Sequence, residues 1–139
     1  LRGGGGAARS TANAWLNAGG KIRLFEGRRP LELPFDFEQD TSEDSLDFAV
    51  DFDGDSEHIP SFQSCPIQLI PSYSALEGDY EQRVQLMQLL PLDGRWMLAA
   101  QHLEAWSHLW APQYADYLPS LGLLLSQLLY AENVLFENA

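Results

Sequence analysis

The sequence predicts an α+β fold, a small antiparallel sheet in its N-terminal half covered by three to four helices from its C-terminal half. Apolar and polar residues alternate in several runs between positions 21 and 53. After position 79 the apolar residues recur at three- and four-residue spacing instead. Gly and Pro clusters separate the runs, so the pieces are short and the layers are sheet and helix. The main rival is an incomplete β barrel with a helical appendage.

Residues 1–9, with the Gly3–Gly6 run, read as a flexible lead, and 10–139 as one domain, mainly β over 10–72 and mainly α over 73–139. Opening on Leu1-Arg2, the sequence reads as a processed product, a fragment or part of something longer. No apolar run near residue 1 has the length of a signal peptide.

Ser10-Thr11 can cap a helix over Ala12 to Asn17, stopped by Gly19-Gly20. Lys21 to Glu26 alternates, and Gly27-Arg28-Arg29-Pro30 is a turn signal. Leu31, Leu33, Phe35 and Phe37 then interleave with polar residues and Pro34, completing a predicted hairpin whose second strand lies at an edge. Leu46 to Asp53 carries the clearest period of two. It predicts Leu46, Phe48, Val50 and Phe52 inward, with Asp47, Asp51 and Asp53 projecting together on the outside. Cys65 to Pro71 adds a short strand. Asp79 can cap a helix through Leu90, with Tyr80, Val84, Met87 and Leu90 on one stripe, and Pro91 ends it. Asp93 caps the next, with Trp96, Ala99, Leu103, Trp106 and Trp110 in line. Pro112 interrupts, and Pro119-Ser120 opens a final helix, apolar nearly all round, through about Phe136.

Charge narrows the functional classes. The 139 residues carry a net charge of −12. Ten carboxylates and no Lys or Arg lie between Asp36 and Glu57. Phe37, Phe48 and Phe52 in that stretch argue against an acidic tail and for a folded, carboxylate-covered face. Direct binding to a nucleic-acid backbone is disfavoured by this balance. No stretch approaches the ~20 uncharged apolar residues of a membrane span. The single cysteine, Cys65, excludes an internal disulfide and a Cys-rich zinc site, and leans towards an intracellular reducing compartment.

No catalytic motif emerges. Asp51-Phe52-Asp53-Gly54-Asp55 resembles the opening of an EF-hand calcium loop, but Ser56 stands where that loop has glycine and Phe62 where it has a bidentate Glu. Glu104 and His108 are spaced as an ordinary i,i+4 pair, and His102 falls on another face. Cys65 reads as a buried thiol. No cofactor and no metal is expected.

A helix apolar on all sides must be covered on all sides. The expected function is therefore a non-catalytic interaction module or assembly subunit. It would bind a protein partner or another copy of itself through Leu124, Leu128 and Phe136 and through Asp47, Asp51 and Asp53. An acidic mimic of nucleic acid, inhibiting a DNA- or RNA-binding protein, is the first alternative. A small hydrolase without a linear signature is the second.

Overall fold

In this computed structural model the described residues are 1–73, 76–89 and 91–137, with the side chains of 136 and 137 excepted. The chain divides into two compact units, Leu1–Ser72 and Tyr73–Ala139.

The predicted antiparallel sheet is overturned. About 49% of the structure is helical, and its only sheet among the described residues is a parallel pair, β1 (Ala49–Val50) with β2 (Gln68–Leu69). The reason is the start of the chain. Arg2 inserts beside Asp51 and Phe25 as a parallel bridge to each, with Arg2 N donating to Val50 O at 3.0 Å and Phe52 N to Arg2 O at 3.0 Å. Helix α1 (Gly6–Asn17) supplies the crossover of a dozen or so residues that parallel neighbours require. Lys21 to Glu26 thus forms no hairpin with 31–37. Ile22 instead bridges Gln39 in parallel, Asp40 N reaching Ile22 O at 2.8 Å.

The Gly-rich lead has packing to do. Gly3 sits at φ +112°, and a Cβ there would meet Phe52 Cβ at 2.8 Å. A side chain at Gly4 would collide with the Pro30 carbonyl. Helix α1 begins at Gly6, ahead of the expected Ser10-Thr11 cap, because Ala7, Ala8 and Arg9 are good helix formers. It buries Ala8 and Ala12, four residues apart. A short 3-10 turn (Ser56–His58) and helix α2 (Pro60–Gln63) link β1 to β2. Their Phe62, with Ala49 and Cys65, forms the buried centre of this unit, and Phe25 meets Phe62 edge-on at 4.9 Å.

The helical unit contains α3 (Tyr80–Met87), α4 (Gly94–Ala105) and α5 (Leu121–Glu137). Asp79 caps α3 in a reciprocal box with Gln82, at 3.0 and 2.9 Å. Leu90, expected in this helix, lies outside the described residues. Asp93 caps α4 by accepting from Arg95 N at 2.9 Å. Met87, Ala99, Leu125 and Leu129 form the core, with Tyr80, Val84 and Trp96 against it. The buried Arg95 ties α4 to α5, its Nε donating to Glu132 at 3.0 Å while the guanidinium also pairs with Asp93.

Candidate functional site

The strand alternation predicted for 46–53 fails at Asp51. Val50 and Asp51 are successive yet both buried, Asp51 being 1% exposed. Its carboxylate faces the Arg2 guanidinium at 3.3 and 3.4 Å and accepts from Asp53 N at 2.9 Å. Burial pushes this carboxyl up, but bonds from the Asp53 amide, the Ser56 hydroxyl and the Gly54 amide, with the Arg2 charge, outweigh it and hold it below the usual range. Asp53 accepts from Arg28 N at 2.7 Å, and Asp55 pairs with Arg2. Of the three acids expected on one outer face, only Asp47 is fully exposed.

Arg23 holds the acidic loop in the same way, donating to Asp40 at 3.1 Å, Ser42 Oγ at 3.0 Å and Asp44 O at 2.9 Å. Seven carboxylates of the stretch, Asp36, Glu38, Glu43, Asp44, Asp47, Asp55 and Glu57, stay exposed, Asp55 while paired with Arg2. A cleft of about 370 Å³ lies beside them, with Trp15, Arg23, Asp40 and Asp47 in its walls.

The three acids that resemble a calcium loop are thus engaged by nitrogen donors, and a cation would have to displace Arg2. Among the described residues, no group of three or more His, Cys, Asp or Glu stands where it could hold a metal ion. Thermal melts with calcium and with chelator are expected to superimpose, affinity being at best in the millimolar range of poorly formed sites. A rise of several degrees with calcium, lost in Asp53→Asn, would contradict this.

Cys65 is buried, its thiol directed at the carbonyls of Ile67 and Leu46, at 3.2 and 3.4 Å. His108 and Glu104 form an exposed i,i+4 pair at 3.2 Å.

The helical unit holds a concavity more apolar than the cleft beside Trp15. Leu98, Ala99, His102, Leu103 and Trp106 follow one face of α4 into the turn beyond it, and Leu124 and Leu128 line the other wall from α5. Leu118 and Pro119 complete the lining of a groove of about 490 Å³. After Ala105 the helix widens into a π turn (Trp106–Trp110), with Ala111 N donating to Trp106 O at 3.1 Å. Pro112 follows, which cannot donate to an α-helical ladder, and a 3-10 segment (Pro112–Tyr117) takes over. The widened turn carries Trp106 and Trp110 edge-to-face at 5.4 Å, and Trp110 meets the His102 ring at 6.2 Å.

Leu124 and Leu128, expected as contact residues, are therefore groove walls. Phe136 lies in the last turn of α5, and its side chain is outside the described residues. Leu98, His102 and Leu118 were missed because the groove exists only once α4 meets α5. The Pro112 and Pro119 breaks, which bring those helices together through a short connection, were the available signal. Among the described residues no helix is long and apolar enough to cross a membrane.

The chain matches no family model, and neither a curated protein nor a solved structure is similar to it.

Proposed function

We propose that this chain is a non-catalytic protein–protein interaction module, or a subunit of a larger assembly, and that it binds through the apolar surface of its helical unit. One observation carries the reading. Large apolar side chains remain in water on both the aromatic turn and α5: Leu109 is 76% exposed, Trp110 59%, Tyr117 83%, Leu123 52% and Leu135 72%. Such residues cost little individually, but several in one small unit are typical of surfaces that a partner covers. Trp and Tyr are also the residues most enriched where interfaces derive their affinity. The exposed carboxylates between Asp36 and Glu57 would favour a partner with a basic surface and hasten its capture at low salt.

The nucleic-acid mimic has less support, because Asp40, Asp51, Asp53 and Asp55 are turned to partners within the chain. At high micromolar concentration the isolated chain is expected to self-associate, the uncovered apolar surface finding itself. Light scattering behind size exclusion reads this directly. The double substitution Leu123→Asp, Leu135→Asp should give a monodisperse monomer with an unchanged melting temperature. If the parent is already monomeric there and the double variant unfolds, these side chains belong to the core and the reading is wrong.

A further inference from the structure

Beyond the protein-binding surface, the groove between α4 and α5 has a chemistry of its own. Its volume of about 490 Å³ falls within the range of small-molecule sites, roughly 300–1,000 Å³. Its walls are hydrocarbon and aromatic, from Leu98, Leu103, Trp106, Leu124 and Leu128, with the His102 ring as the one side chain able to accept a hydrogen bond and the Trp106 indole N–H able to donate one. The state of that ring follows from its neighbour. His102 Nδ1 lies 2.9 Å from the Leu98 carbonyl oxygen. A carbonyl only accepts, so Nδ1 carries the hydrogen, and in the neutral ring Nε2 is left as an acceptor. Trp110 against the ring edge restricts its rotation.

We propose that this groove binds a small, uncharged, largely apolar molecule bearing one hydroxyl, which donates to His102 Nε2. Each alternative chemistry meets a specific obstacle. A carboxylate or phosphate would face the Nε2 lone pair in a segment, 73–139, that has eight acids and two arginines. An ammonium would satisfy one of its donors and bury the others unpaired among leucines. A pure hydrocarbon would fill the volume but give Nε2 no donor in place of solvent. A hydroxyl supplies that donor, and its apolar remainder matches the walls.

The test uses the whole chain with 4-tert-butylphenol and its methyl ether, followed by nuclear magnetic resonance of the His102 ring and the Leu128 methyl groups. The phenol is expected to bind about tenfold more tightly than the ether, the value of one hydrogen bond. His102→Phe should retain binding and make the two probes equal. Leu128→Trp should fill the groove and abolish both, with Leu98→Phe as the second filling variant if Leu128→Trp does not fold. Equal affinities for the parent chain would overturn the proposal. So would no binding of the phenol at millimolar concentration, or binding that both filled variants retain. If Leu128→Trp alters only self-association while neither probe binds, the groove is a protein contact and the proposal falls.

Discussion

Leu129→Ala is expected to destabilise the helical unit by about 3 kcal/mol, within the 2–5 kcal/mol cost of truncating a fully buried leucine. Leu129 is 1% exposed and joins Leu125, Met87 and Ala99 in the centre of the unit. Truncation removes its dispersion contacts with each and leaves a cavity that the helices can close only in part. Leu123, on the same helix but half in water, should lose well under 1 kcal/mol on the same change. Denaturant titration followed by tryptophan fluorescence separates the two, because Trp96 lies against this core with its indole N–H bonded to Met87 O at 2.8 Å. Equal losses at both positions would mean that the buried and exposed sides of α5 are misassigned.

Asp51→Ala is expected to cost the first unit about 3 kcal/mol, the low end of the 3–5 kcal/mol for removing one partner of a buried ion pair. Arg2, at 6% exposure, would keep only the exposed Asp55 and the Glu26 carbonyl among the described residues, and the Asp53 amide would lose its acceptor. Replacing both residues by apolar ones, Arg2→Met with Asp51→Leu, should recover a large part of the loss. The pair also fixes a pH dependence. A carboxyl held below its usual range in the folded chain contributes fully above the ordinary value near 4, and that contribution is lost as the pH falls through the lower folded-state value. Acid titration of the parent should show this loss, and Asp51→Asn should be flatter across the same interval. A single variant as stable as the parent at pH 7 would remove Arg2 and Asp51 from the account of this fold.

The helices were readable because their signals are local. Asp79 and Asp93 are caps whose amide donors lie two or three residues away, and Pro91, Pro112 and Pro119 interrupt the helical ladders. The final helix was recognised as apolar all round, although which leucines face inward was settled only by α3 and α4. The strands failed for the opposite reason. Period two at Leu46 to Asp53 assigns every acid outward, and nothing near Asp51 announces that Arg2, forty-nine residues earlier, enters to neutralise it. Turn residues at Gly27–Pro30 suggested a hairpin, yet Phe25 paired with Arg2 across helix α1 and Ile22 with Gln39 beyond the expected second strand. The groove was illegible in the same sense. Its walls come from two helices, and the tautomer that gives His102 a free acceptor depends on a carbonyl one turn away.

The parallel insertion of Arg2 has a kinetic consequence. Its bridges to Phe25 and Asp51 join positions far apart in sequence, so the chain loses the entropy of closing those loops before any ladder bond forms. Arg2 is paired on both sides, and its slot does not exist until 24–26 and 50–52 have been synthesised and brought alongside. During synthesis Arg2 is thus among the last residues of the unit to find its place, although it is made before its neighbours. The caps of α3 and α4 in the other unit need only donors two or three residues away.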